Sequence, residues 1–143
     1  MAVGSGDLGP LHPVGGVRMT AVSAGIKKPG RKDVVLFELD AAAVTAGVFT
    51  LNAFCAAPVT LAKAHLAEQS PRYLLINTGN ANAGTGEPGL QAAIQCCEKV
   101  AHASGVGRQQ VLPFSTGVIG ELLPADKVCA VVDQALSTLT NNG

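Results

Sequence analysis

Leu90, Ala93, Ile94, Cys97, Val100 and Ala101 recur at i, i+3, i+4, i+7, i+10 and i+11, and no other feature of the chain constrains its fold so tightly. Only an α-helix gathers that spacing onto one face, and such a face must be buried against another layer. The segments around it supply that layer. Residues 73–76 form an apolar run that ends at Asn77 and reads as a buried strand. Upstream, residues 17–24 and 34–39 are apolar runs separated by Lys27-Lys28-Pro29-Gly30, the pattern of a hairpin. Residues 43–51 lean toward β through Val44, Val48, Phe49 and Thr50, which predicts a third strand. A short helix is expected over 61–69 and a short strand over 111–114. Val128, Val131, Val132, Ala135, Leu136 and Leu139 then repeat the helical stripe behind Pro124 and Asp126, which suit a first turn and predict a second long helix. The order of elements implies an α/β or α+β layered sheet with no internal repeat.

With 143 residues, 48% of them hydrophobic, the chain can build one core without staples. Residues 1–14, rich in Gly and Pro, read as a flexible lead, and residues 15–143 as the folded part. Ten Lys and Arg balance ten Asp and Glu, and aromatics make up only 3%, so neither the charge nor the stacking platforms for nucleic acid are present. No apolar stretch approaches the roughly 20 residues of a membrane span. The start of the chain lacks a basic segment followed by an apolar one, so a signal or transit peptide is not expected and a cytoplasmic location follows by default. The cysteines, Cys55, Cys96, Cys97 and Cys129, offer no CxxC pair and read as reduced, small apolar residues. The stripe places Cys97 in the core and Cys96 toward a flank, so the adjacent pair is not expected to share a metal.

Several segments could carry chemistry. Gly84-Thr85-Gly86-Glu87-Pro88-Gly89 is a literal GxGxxG, but residues 78–83 separate it from Asn77, and no carboxylate stands near Gly107-Arg108-Gln109-Gln110 to hold a ribose. A long turn entering a helix, with Glu87 complementing the helix dipole, is the preferred reading over a nucleotide site. Asn77, Asn80 and Asn82 either knit their loop together through Asx turns or shape a pocket, and the first is favoured. Ser115-Thr116-Gly117-Val118-Ile119-Gly120 follows a strand and precedes a turn; its Thr hydroxyl and glycine N–H suit an oxyanion hole, and an ordinary turn is the alternative. His12, His65 and His102 have no triad partner and read as surface residues. Lys27, Lys28, Arg31 and Lys32 read as a solvated hairpin tip rather than an anion site. Glu38 and Asp40 face the same side of a strand end and are expected to be wet.

Taken in chain order, these segments resemble a known family, the ornithine acetyltransferase of arginine biosynthesis, or bifunctional glutamate N-acetyltransferase. The resemblance is carried by Ala24-Gly25-Ile26-Lys27-Lys28, then Ala46-Gly47-Val48-Phe49-Thr50-Leu51-Asn52 with Ala56-Ala57-Pro58-Val59. It continues through Asn77-Thr78-Gly79-Asn80-Ala81-Asn82-Ala83 and Thr85-Gly86-Glu87, and closes with Ser115-Thr116-Gly117-Val118-Ile119-Gly120 and Pro124-Ala125-Asp126-Lys127-Val128. It implies an incomplete αββα-type sandwich of the N-terminal-nucleophile kind. It also implies a precursor that cuts itself at an Ala-Thr bond, freeing a Thr that heads a β chain. Acetyl would pass from N-acetylornithine to that Thr and on to glutamate, without metal or cofactor, and some members of the family also accept acetyl-CoA. Members commonly assemble two α with two β chains. The resemblance assigns the oxyanion hole to Thr116 and Gly117. The chain stops at Asn141-Asn142-Gly143, before the segment that holds the cleavage bond, so it is expected to be the front part of an α chain, inert by itself. The alternatives are a small-molecule or nucleotide-binding module and a noncatalytic scaffold subunit.

Overall fold

The computed structural model describes residues 12–141; the expected lead lies outside that range apart from 12–14. Strand β1 (Val17–Val22) pairs antiparallel with β2 (Val34–Leu39), in register from Val17 opposite Leu39 to Val22 opposite Val34. The expected hairpin is therefore present. Its connection is pinned by Asp33, whose carboxylate accepts the N–H groups of Ala24 and Ile26, each at 2.6 Å. Strand β3 (Tyr73–Asn80) runs antiparallel to β2 and parallel to β4 (Val111–Val118), giving a sheet of order β1-β2-β3-β4. A parallel pair needs a long crossover, and helix α2 (Gly86–Ser104) provides it.

Helix α1 (Ala57–Glu68) begins earlier than expected because Pro58 suits a first turn, where its missing N–H has no helical partner to lose. It runs against β4, and the Nδ1 of buried His65 is 2.8 Å from the Val111 carbonyl, so the helix covers that sheet edge. At the opposite edge, Met19 and Thr140 exchange backbone hydrogen bonds of 2.7 and 3.1 Å. Both free edges are thus met by the chain itself.

Alternation along the strands, combined with their register, sorts the side chains onto two faces. One face carries Val22, Leu36, Tyr73, Leu75 and Val111 and packs under Ala93, Cys97 and Val100 of α2. Helices α3 (Ala125–Ala130) and α4 (Val132–Ser137) complete that cover through Val128 and Val132, each 1% exposed. Met19, Phe37, Leu74, Val35, Ile76 and Phe114 occupy the other face, and none of them joins this core. The described residues form a sheet with its helical core on one side only.

Three expectations need correction. Residues 43–51 form no strand, and Val44, Val48 and Leu51 are 95%, 100% and 97% exposed. β propensity reports fit to a pleated surface, and these residues pair with no strand of the sheet. The second long helix is two short ones that meet at Val131, where φ −101° and ψ 0° interrupt the α geometry. Val128 and Val132 still face the core on either side of the break. Cys96 does not point to a flank: it is buried like Cys97, because α3 packs beside α2 and widens the buried stripe. Cys129 of α3 lies beside it, its thiol donating to the Gln95 carbonyl at 3.9 Å.

Candidate active site

The parallel strands β3 and β4 extend past the apolar runs that predicted them, and their last residues form the site. Asn77 pairs with Ser115, Thr78 with Thr116 and Gly79 with Gly117, after which Asn80 shifts the register in a bulge. Bulges bend a strand and re-aim its side chains, and they are concentrated near active sites. Asn77 and Ser115 lie on the helix-covered face, where the Ser115 hydroxyl donates to Asn77 Oδ1 at 2.6 Å and Asn77 Nδ2 donates to the Asn80 carbonyl at 2.8 Å. The bulge is thereby held from inside.

Gly117 has φ +140°, in the region that L side chains rarely adopt, and it presses against β3. A Cβ there would stand 2.3 Å from the Gly79 carbonyl carbon and 2.5 Å from the Asn80 nitrogen, so only glycine fits. Thr116 projects from the opposite face of the sheet and is exposed, beside exposed Thr78. Among the described residues it takes no part in the hydrogen bonds that tie down Asn77, Ser115 and Asn80. A hydroxyl and a constrained glycine backbone stand together on an uncovered sheet surface. Preset donors of this kind can stabilise a developing oxyanion.

The asparagines knit the backbone. Asn80 Nδ2 donates to the carbonyls of Glu121 and Leu122 at 3.0 and 3.2 Å, and Asn80 Oδ1 accepts the Asn82 N–H at 2.7 Å. Asn82 adopts φ +47° and donates from Nδ2 to the Gly89 carbonyl at 2.8 Å. Asn77 and Asn80 sit within β3 rather than on a loop. The GxGxxG segment follows the same logic. Gly84 and Gly86 take left-handed conformations at the entry to α2, Glu87 lies in its first turn, and a Cβ on Gly89 would collide with Thr85 and Asn82. These glycines close a turn onto Asn82.

Of the histidines, His12 and His102 are exposed as expected. His65 is not a surface residue, because its ring fills the seam between α1 and β4. Glu38 is not wet: it pairs with Arg18 and accepts the Tyr73 hydroxyl at 2.8 Å, while Asp40 is exposed and apart from it. Burial, followed by the Glu38 carboxylate, raises the Tyr73 hydroxyl above its ordinary pKa. All four cysteines are free, and Cys55 is exposed. Burial pushes the Cys97 thiol up to about 12. Among the described residues no group of His, Cys, Asp and Glu could hold a metal ion. Nor is any helix there long and apolar enough to cross a membrane. Thr78 escaped the reading of single residues; its signal was the Asn77-Thr78-Gly79 segment, whose register against β4 only the fold discloses.

A sheet with helices on one face and a Thr-Gly pair at the end of a parallel strand defines an α+β layered protein consistent with the N-terminal-nucleophile type. The model of the ArgJ family matches residues 18–142, and the chain belongs to that family. It is 57% identical, over 99% of its length, to the arginine biosynthesis bifunctional protein ArgJ of Pseudomonas fluorescens (strain Pf0-1), of which it covers 35%. Against the protein of the same name from Pseudomonas syringae pv. tomato it is 58% identical over 98% of its length, covering 34% of that protein. The chain thus spans about a third of the length of these curated relatives. Among solved structures, the ornithine acetyltransferase of Mycobacterium tuberculosis, complexed with ornithine, superposes with a TM-score of 0.85 at 36% identity. That match covers 90% of this chain and 69% of the other. ArgJ of Bacillus halodurans gives a TM-score of 0.78 at 33% identity, over 84% of this chain and 63% of that one.

Proposed function

We propose that residues 15–143 are the front part of the α chain of a glutamate N-acetyltransferase that takes acetyl from N-acetylornithine. The observation that carries this reading is the placement of Thr116 and Gly117 at the bulged end of β4, with Thr116 on the sheet face that the helical core leaves uncovered. A partner β chain, headed by a nucleophilic Thr, would lie against that face. Its hydroxyl attacks the acetyl carbonyl of N-acetylornithine, and its own α-amino group takes the proton. The carbonyl oxygen becomes an oxyanion that accepts hydrogen bonds from the Thr116 hydroxyl and the Gly117 N–H. Collapse breaks the amide C–N bond, and ornithine leaves with the proton on its amine. The acetyl-threonine ester then meets the amine of glutamate at the same hole, and N-acetylglutamate departs as the Thr hydroxyl is restored.

Two further observations support the reading. The bare face carries Phe37, Leu74, Val35, Ile76 and Phe114, an apolar surface suited to a second sheet layer. This chain covers 69% of the solved Mycobacterium tuberculosis chain but only 35% of the curated Pseudomonas fluorescens relative, so the solved chain is about half as long. A precursor divided into two chains accounts for that difference. The test is the intact mass and N-terminal sequence of every chain that copurifies with this one. A companion that begins with Thr is expected. Purification of this chain with no Thr-headed companion would favour a noncatalytic scaffold instead.

A further inference from the structure

On the helix-covered face, β3 ends Leu75, Asn77, Gly79 and β4 ends Pro113, Ser115, Gly117, and the two sets are register partners. Each strand passes from an apolar residue to a polar one and then to glycine, at the same level. Asn77 is 4% exposed and takes the place of a core side chain next to Val34, its partner on β2. Folding alone does not call for a polar pair there, because an apolar pair would continue the core without desolvating an amide and a hydroxyl. A buried polar network whose members are all satisfied does something an apolar pair cannot: it selects one arrangement of the backbone around it. Among the described residues, neither Asn77 nor Ser115 leaves a buried polar atom without a partner.

We propose that Asn77 and Ser115 are positioning residues for acetyl transfer, their hydrogen bond setting where β4 presents Thr116 and Gly117, an assignment that rests on the oxyanion role proposed for that pair. The Asn77 amide spans the place where the ladder shifts. Its Oδ1 accepts the Ser115 hydroxyl of β4 at 2.6 Å, and its Nδ2 donates to the carbonyl of Asn80, in the bulge of β3, at 2.8 Å. One side chain thus holds both strands on either side of the contact between Gly79 and Gly117. Those glycines, at φ +99° and +140°, have no side chains with which to hold themselves. Ser115 acts through its neighbour and not on substrate, since it lies on the helix-covered face while Thr116 projects from the other. Without the Ser115 hydroxyl the end of β4 loses its tie to β3 from behind, and a misplacement of about 1 Å at a reacting centre can cost about 100-fold in rate.

The test is acetyl exchange between N-acetylornithine and glutamate by the assembled protein carrying Ser115→Ala, with the melting temperature confirming that the fold persists. The variant should lose about 10-fold or more in kcat while KM stays within about twofold, and Ser115→Thr, which keeps the hydroxyl, should recover most of the rate. Added to Thr116→Ala, the same Ser115→Ala change should cost less than about threefold, because the hydroxyl it positions is already gone. Crystal structures of wild type and Ser115→Ala should differ at Thr116 by about 0.5 Å or more, the tolerance within which reacting groups must be held. A wild-type rate in Ser115→Ala, no recovery by threonine, equal losses with and without Thr116, or an unmoved Thr116 would each overturn the proposal. A wild-type protein that exchanges no acetyl would sink the oxyanion reading itself, whereas an active enzyme indifferent to Ser115→Ala would sink only the positioning, so the two failures are distinguishable.

Discussion

Thr78 and Thr116 stand side by side on adjacent parallel strands, both exposed on the sheet face opposite the helical core. One register step beyond them, Gly79 and Gly117 bring the two backbones so close that no side chain fits between. The hydroxyls are therefore carried on a backbone fixed by contact from behind and open to solvent in front. That arrangement separates residues that hold the candidate site from those proposed to act in it, and the two kinds should respond differently to substitution.

Gly117→Ala should damage the fold itself. The added methyl would meet the Gly79 carbonyl carbon at 2.3 Å, at a φ of +140° that alanine strongly resists. Strain and overlap together should cost about 3 kcal/mol or more. Urea unfolding monitored by circular dichroism checks this. A stability within about 0.5 kcal/mol of wild type would show that β3 and β4 are not pressed together there.

His65→Ala should destabilise the chain by about 2–3 kcal/mol, since it empties a buried site and leaves the Val111 carbonyl without its partner. The loss should appear first as faster amide exchange in α1 and along β4, the two elements the imidazole joins. Hydrogen-exchange mass spectrometry would show it, and protection equal to wild type in both elements would contradict the assignment.

Phe114→Glu should act on assembly instead. Phe114 is 41% exposed on the bare face, outside the helical core, so a charge there leaves the isolated fold nearly untouched. The same charge buried against an apolar partner layer is costly. Analytical ultracentrifugation should find the variant chain folded but separated from the proposed β chain, with which the wild-type chain should sediment; unchanged assembly would place that partner elsewhere.

Alkaline pH should weaken the fold through Cys97. Burial pushes this thiol up to about 12, whereas in the unfolded chain it ionises near its ordinary value of 9.0. Above about pH 9 the unfolded state binds fewer protons than the folded one, so stability falls as pH rises. The contribution is fully present below pH 9 and is lost between 9 and about 12, on the order of a few kcal/mol in all. Cys97→Ala should flatten this part of the profile in urea melts taken across that range, and an unchanged slope would contradict it.

The stripe from Leu90 to Ala101 was legible because a helix packed on a sheet must repeat its apolar residues every three or four positions, whatever its neighbours. The hairpin was legible for a similar reason, through a turn between two apolar runs. Residues 43–51 misled because β propensity reports fit to a pleated surface, and in this fold they pair with no strand. His65 and Cys96 were misplaced because their burial comes from β4 and α3, distant in sequence. The second long helix failed at a single residue, Val131, whose dihedral angles carry no compositional mark. Thr116 and Gly117 were visible as a motif, but the face each occupies depends on pairing with β3. The bulge that sets this pairing is a property of two strands and of the asparagines behind them.

In the proposed reaction Thr116 donates to an oxyanion formed during acetyl transfer. The most direct measurement is the rate of acetyl exchange between N-acetylornithine and glutamate by the assembled protein carrying Thr116→Ala, with Thr116→Ser beside it. Loss of one such donor costs about 3 kcal/mol of transition-state stabilisation, so kcat should fall about 100- to 1000-fold while KM changes little. The serine variant, which keeps the hydroxyl, should recover most of the rate. An alanine variant that exchanges acetyl within about threefold of wild type would contradict the account.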